Sequence, residues 1–173
     1  MIMRKVLVVL LLFIIIVIVF FYIDNLLYSP LKQREFQKLF LYSGDVKKKS
    51  SVDYIKLSIR GEIFDMYLYK TPPISSALEE YPNFSGEWEN KELTNEVIVS
   101  KWKACPFNAI AEKRCKFAFI SNSTNNEKHM RTFLKELHNS YNYYSFVYFS
   151  EQEHYFLLFC PKQNILYYVR VRF

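Results

Sequence analysis

Glycine, cysteine and histidine are scarce in this sequence of 173 residues, with three of each. The glycines, Gly44, Gly61 and Gly86, are isolated from one another, which excludes a P-loop and a dinucleotide-binding fingerprint. The patterns G-x-S-x-G, H-E-x-x-H and C-x-x-C are also absent. The sequence therefore predicts no cofactor and no recognisable catalytic motif.

The histidines do not have the spacing of a metal site. His129 and His138 belong to one predicted helix, but nine steps of about 100° place them on opposite faces. His154 stands at the start of a predicted strand, away from both. A nucleophile made from Cys160 or Cys105 with a distant histidine stays open, because such partners meet only in the folded chain. We predict neither a catalytic residue nor a metal ligand.

The cysteines allow one local disulfide. Cys105 and Cys115 flank a short polar segment whose length suits such a bond, and the spacing is not that of a zinc site. Cys160 alternates with apolar residues and is expected to be a small buried hydrophobe. Three unrelated reduced thiols are the alternative.

The charge balance is mildly basic. The 23 basic and 17 acidic side chains give a net charge of +6, and leaving out Arg4 and Lys5 leaves 21 basic against 17 acidic, or +4. This charge suits an anionic membrane surface or an acidic partner. It is far from the dense basic stripe of a nucleic-acid binder, so no nucleic acid is predicted as a partner.

A long apolar run dominates the N-terminal part of the chain. At about 1.5 Å per residue, a helix over residues 6–23 would be about 27 Å long, close to the hydrocarbon thickness of a bilayer. The run is longer than a secretory h-region and ends in aromatic residues without a cleavage site. The predicted organisation is a basic tail at residues 1–5, a transmembrane anchor at 6–23, a juxtamembrane helix and linker at 24–51, and an extracytoplasmic domain at 52–173.

The orientation of this anchor depends on more than the basic residues. Arg4 and Lys5 precede the run, and Lys32, Arg34 and Lys38 follow it, so the charges nearly balance. A short basic tail before a long apolar run has the layout of a signal anchor, which favours a cytoplasmic N-terminus. We expect an inner-membrane protein with a periplasmic C-terminal domain.

The segments after the anchor show several short patterns. Residues 31–42 have helical spacing, and residues 43–51, with the run Lys47 to Lys49, are predicted as a solvated linker that could touch anionic lipid. Period-two alternation over 52–70 predicts two antiparallel strands around Gly61, or one long bent strand. A short helix at 74–81, a loop at 82–95, and strands at 97–102 and 116–120 are expected to follow.

The last third of the chain has the clearest periodicity. Residues 125–139 carry an apolar stripe at helical spacing, formed by Met130, Phe133, Leu134 and Leu137. Three predicted strands follow at 143–149, 154–160 and 165–173, which short turns join into an antiparallel meander. The predicted fold class is α+β, with a mainly antiparallel sheet and helices packed on one of its faces.

Tyrosine is abundant in this meander, and it suggests a binding surface. Adjacent tyrosines on a strand face opposite ways, so one of each pair would lie outside the core of a sheet covered on one face. The alternative is that tyrosine simply favours strands and half-buried surfaces. The candidate partner surface comprises Tyr143, Tyr148, Tyr155, Tyr167, Tyr168, Arg170 and Arg172.

These observations predict a membrane-anchored protein that binds another protein and has no catalytic activity. Its expected partners are the lipid bilayer, through residues 6–23, and a protein. Within that class the preferred interpretation is an immunity-type protein that neutralises a toxin at the envelope. The alternatives are a structural subunit of a membrane or secretion complex, and an envelope hydrolase whose site the sequence does not reveal.

Overall fold

The computed structural model describes residues 2–40, 46–55, 61–74, 78, 81–83, 86–108 and 127–173. The chain forms two compact units, Met1–Pro30 and Leu31–Phe173. Its helices are α1 (Ile2–Leu27), α2 (Gln33–Leu39), α3 (Glu127–Leu137) and a 3-10 helix at Pro161–Gln163. Its strands are β1 (Lys47–Asp53), β2 (Ile63–Lys70), β3 (Glu87–Trp88), β4 (Lys91–Glu92), β5 (Ile98–Val99), β6 (Lys103–Ala104), β7 (Tyr143–Tyr148), β8 (Glu153–Cys160) and β9 (Ile165–Arg172).

Helix α1 contains the whole apolar run at residues 6–23. In the part of the chain that the structure describes, no helix has the length and apolar character needed to cross a membrane. The predicted transmembrane anchor is therefore not supported by this finding.

The second unit is built on a mainly antiparallel sheet, as predicted. The strand order is β1-β2-β9-β8-β7-β5, and β6 also pairs with β7. The meander of β7, β8 and β9 is confirmed, with pairs running from Tyr143↔Phe159 to Cys160↔Ile165. Between β8 and β9 the chain turns through the 3-10 helix and Asn164, whose φ of 52° is left-handed.

Strand β1 corrects the prediction of a linker at residues 43–51. Lys47–Asp53 pairs with β2 from Lys47↔Lys70 to Asp53↔Asp65, so two antiparallel strands are confirmed but the first begins earlier in the chain. Lysine and serine have little intrinsic preference for strands. Hydrogen bonding to a buried neighbouring strand overrides that preference. Residues 41–45 and 56–60 lie outside the described residues.

One face of the sheet is covered by α3. The buried residues Met130, Phe133 and Leu137 lie on one side of this helix and pack against apolar side chains of β2, β7, β8 and β9. Phe156, at the centre of this face, contacts the Phe133 ring edge-on at 6.0 Å. The amphipathic helix predicted at 125–139 is thus confirmed over Glu127–Leu137, and residues 125–126 lie outside the described residues.

The opposite face is also covered, which corrects the expectation of helices on one face only. Phe36, Leu39 and Phe40, in and just after α2, pack there with Trp88 and Trp102. Alternate residues of β2, β8 and β9 are apolar on this side too. Each face of the sheet is therefore stable only when other parts of the chain pack on it and exclude water. The α2 region, Trp88 and Trp102, which are distant in sequence, contribute to this second layer.

The middle of the chain is less regular than predicted. Of the strand expected at 97–102 only β5 (Ile98–Val99) is formed, and β6 (Lys103–Ala104) follows just outside that range. The loop expected at 82–95 contains the β3–β4 hairpin. Only residues 74, 78 and 81 of the helix predicted at 74–81 are described, with Leu78 in a 3-10 turn. The strand predicted at 116–120 lies outside the described residues.

Candidate functional site

A buried polar network lies on the α2-covered face, where β2 begins and β9 ends. The register pairs Asp65 with Arg170 and Tyr67 with Tyr168. Residues two apart on a strand point to the same side, so all four side chains are neighbours. The turn of the β3–β4 hairpin adds Glu89 to this group.

Arg170 is the centre of the network. Its Nε donates to Asp65 Oδ1 at 2.9 Å and its Nη2 to Asp65 Oδ2 at 2.6 Å, which is a bidentate ion pair. Nη2 also donates to the Tyr67 hydroxyl at 3.2 Å, and Nη1 reaches Glu89 Oε2 at 3.5 Å. The guanidinium therefore joins two strands and a hairpin.

Glu89 reaches the network from a strained backbone position. It forms the two-residue hairpin loop with Asn90, and their φ angles of 49° and 65° are both left-handed. Such turns favour glycine, asparagine and aspartate over glutamate. The Glu89 carboxylate accepts a hydrogen bond from the Tyr168 hydroxyl at 2.8 Å, and that hydroxyl accepts one from Trp88 Nε1 at 3.0 Å. These buried bonds offset the backbone strain and hold the hairpin over the sheet.

The electrostatics of the network favour a structural role. Burial raises the pKa of Asp65 and of Glu89, and the positive charge of Arg170 opposes both shifts. Burial alone would lower the pKa of Arg170, but the bonds and charges of Asp65 and Glu89 raise it above its ordinary value. Arg170 therefore stays charged. Burial also holds the pKa of Tyr168 well above its ordinary value, so the Tyr168 hydroxyl stays protonated near neutral pH.

The seven residues of the predicted partner surface are not together on one exposed face. Tyr155, Tyr167, Tyr168 and Arg170 are buried, and Tyr143, Tyr148 and Arg172 are partly exposed. Tyr155 and Tyr168 lie on the α2-covered face and Tyr167 lies on the α3-covered face. Because both faces are covered, the alternation of side chains does not produce an exposed aromatic side. Arg172 instead donates two hydrogen bonds to the Gly61 carbonyl oxygen, at 2.9 and 3.2 Å.

The network contains residues that the sequence pattern did not single out. Asp65 and Tyr67 were part of an alternating strand, and Trp88 and Glu89 were part of a predicted loop. A carboxylate inside a mostly apolar strand is a signal for a buried ion pair. The sequence carried that signal at Asp65, but nothing local connects it with Arg170, which is 105 residues away.

The buried thiols do not provide a reactive nucleophile near neutral pH. Among the described cysteines, Cys105 and Cys160 are buried and are not bonded to each other. Burial, together with the charge of Glu136, raises the pKa of Cys105 to about 12 and also raises that of Cys160. Cys115 lies outside the described residues, so its predicted disulfide with Cys105 stays a prediction.

His154 makes the stability of the fold depend on pH. Burial lowers its pKa from 6.5 to about 4. In the unfolded chain His154 is protonated below about pH 6.5, but in the folded chain it is protonated only below about pH 4. The folded state therefore loses stability as the pH falls from 6.5 to 4. We expect the free energy of unfolding to be about 2 kcal/mol lower at pH 5 than at pH 7. Urea titrations at both pH values measure it.

A matched pair of variants isolates this histidine. His154→Gln should remove most of the pH dependence between pH 5 and pH 7, whereas His138→Gln, at an exposed position, should retain it. An unchanged slope in His154→Gln would assign the pH dependence to other groups.

The geometry and the comparisons add no known chemistry. Within the described ranges, no group of three or more His, Cys, Asp or Glu side chains is arranged to hold a metal ion. No family model, curated protein or solved structure matches the chain.

Proposed function

We propose that this chain is a membrane-anchored protein whose second unit, Leu31–Phe173, binds another protein without catalysing a reaction. The proposed location is the inner membrane, with the N-terminus in the cytoplasm and the second unit in the periplasm. Within this class we propose an immunity-type role, the neutralisation of a toxin at the envelope. Such a role needs a stable surface and no catalytic machinery.

The observation that carries the proposal is the exposure of apolar side chains on α1. Phe13 and Tyr22, nine positions apart and hence on opposite faces, are 64% and 69% exposed. Val6, Ile16 and Phe20 are exposed to a similar degree. A helix with apolar surface on all sides is unfavourable in water and favourable in lipid. No helix among the described residues has the length and apolar character needed to cross a membrane, so the proposal rests on the composition and exposure of α1 alone.

The pKa values of the buried cysteine and histidine side chains support binding over catalysis. The thiols of Cys105 and Cys160 have raised pKa values, and the pKa of His154 is lowered to about 4. A cysteine–histidine nucleophile needs the opposite shifts. The acids of the network are engaged with Arg170 and with tyrosine hydroxyls. A rigid sheet covered on both faces suits a protein that presents a fixed surface.

The proposed anchor is tested by exchanging residues 1–28 for an unrelated single-pass anchor. The first measurement is resistance to carbonate extraction of the native chain, which we expect to remain with the membrane. The second is cross-linking from native membranes, in which we expect one stoichiometric soluble protein with either anchor. Loss of the partner on exchange would favour a subunit whose helix itself makes contacts. Release of the native chain by carbonate would contradict the anchor.

The proposed orientation has a separate test. An impermeant amine reagent, applied to cells with an opened outer membrane, should modify Lys101 and Lys128, which are both exposed. Modification only after the inner membrane is opened would put the second unit in the cytoplasm.

A further inference from the structure

The strand register places lysines at one end of the main sheet and mostly acidic residues at the other. At one end β1 starts with three lysines and β2 finishes with another, and the 3-10 helix between β8 and β9 adds a fifth. At the other end lie the end of β1 and the starts of β2 and β8, which carry acidic residues, together with Arg172 at the end of β9, the register partner of Glu153. The basic end comprises Lys47, Lys49, Lys70 and Lys162, all exposed, with the part-exposed Lys48 beside them, and the acidic end comprises Asp53, Glu62, Glu151 and Glu153.

Two of the lysines face each other directly. Lys47 is the register partner of Lys70 at the sheet edge, and like charges in opposite positions repel. Within the part of the chain that the structure describes, no salt bridge involves Lys47, Lys49 or Lys70. The repulsion at this end would be relieved by an external anionic surface.

An exposed aromatic residue accompanies these charges. Tyr141 is 61% exposed, and Lys162 Nζ lies 3.2 Å from its ring centroid. Tyrosine beside a cation is typical of the headgroup region of a membrane. The neighbouring carboxylate of Glu136 is 8% exposed and accepts hydrogen bonds from Asn139, Asn142 and Gln163. It is therefore already engaged and does not neutralise the exposed lysines.

The chain enters the second unit at this same end. The Leu31 amide donates to the Tyr69 hydroxyl at 3.3 Å, and Tyr69 precedes Lys70 and pairs with Lys48. Leu31 is the first residue of the second unit, so the chain joins this unit at its basic end.

We infer that the basic end docks on anionic phospholipid headgroups, with Lys47, Lys49, Lys70 and Lys162 as the contacting cations. The inference rests on the proposed anchor and adds to it a fixed contact between the second unit and the lipid. The acidic end then faces away from the membrane. Clustered lysines near an anionic surface are attracted to it, and this attraction is screened by salt.

The test uses the full-length chain in phosphatidylcholine nanodiscs, prepared with and without phosphatidylglycerol. Reactivity of each lysine towards an amine reagent is measured by mass spectrometry. We expect Lys47, Lys49, Lys70 and Lys162 to react about threefold or more slowly in the anionic discs, and their reactivity to recover at high salt. Lys128, exposed at the start of α3, should react equally in both. The inference would be overturned if these four lysines reacted at the same rate in both kinds of disc, whether that rate is fast or slow.

Charge-reversal variants keep the test specific. Lys47→Glu combined with Lys70→Glu should remove the protection of Lys162 from the amine reagent in anionic discs. The control, Lys128→Glu, should leave that protection intact. Tryptophan fluorescence checks that each variant folds. Protection of Lys162 that survives the double change would overturn the inference. A chain that carbonate releases from the discs contradicts the anchor and the inference together. A retained chain with equal lysine rates contradicts the inference alone.

Discussion

Replacing Arg170 by methionine should lower the free energy of unfolding by about 3–5 kcal/mol, because it leaves buried carboxylates without their counter-charge. Asp65 loses a bidentate partner and Glu89 loses a nearby cation. Methionine fills a similar volume but does not restore this stability, because the cost comes from the unpaired carboxylates of Asp65 and Glu89. Urea unfolding of the full chain in mild detergent, followed by tryptophan fluorescence, measures the loss.

The same substitution two residues further along β9 is the control. Arg172 is partly exposed and donates to the Gly61 carbonyl oxygen, so Arg172→Met should cost less than about 1 kcal/mol. Combining Arg170→Met with Asp65→Asn should cost less than the sum of the single changes, by about 1–3 kcal/mol. Equal effects of Arg170→Met and Arg172→Met would show that the buried ion pair does not hold the hairpin to the sheet.

Replacing Trp88 by alanine should cost about 3–5 kcal/mol, the range for a fully buried tryptophan. The side chain is completely buried, its ring meets Tyr168 edge-on at 6.0 Å, and its Nε1 donates to the Tyr168 hydroxyl. The change leaves a cavity under the hairpin and removes a hydrogen bond from the network. Urea unfolding gives the energy, and hydrogen exchange of the β3–β4 amides shows whether the hairpin opens.

Two further variants separate the contributions at this position. Trp88→Phe keeps most of the buried apolar surface and loses the N–H donor, so it should cost about 1–2 kcal/mol. Glu92→Ala, on the exposed side of the same hairpin, should change stability by less than about 0.5 kcal/mol. If Trp88→Ala cost no more than Glu92→Ala, the second layer would not stabilise the sheet.

Both expected effects depend on the face of the sheet that local sequence patterns did not reveal. The helix over Glu127–Leu137 could be predicted because its apolar stripe recurs at helical spacing within a few turns. The meander could be predicted because short turns separate apolar strands. The second layer could not, because it joins α2 with Trp88 and Trp102 from distant parts of the chain.

The candidate network shows the same limit. Arg170 was predicted to be part of a partner surface. Its burial depends on Asp65 and on Glu89, which are 105 and 81 residues away. A charge enters a protein interior only where its partner is brought within hydrogen-bonding distance, and a window of neighbouring residues contains no information about that partner.

The sequence by itself determined the apolar N-terminal segment, the amphipathic helix and the antiparallel meander, because each has a period that short-range geometry imposes. Only the tertiary structure decided that Lys47–Asp53 is a strand, that both sheet faces are covered, and that Arg170 is buried. These features arise from pairing between distant segments. The hydrogen bonds and buried area gained there outweigh the local preferences of lysine for solvent and of arginine for the surface.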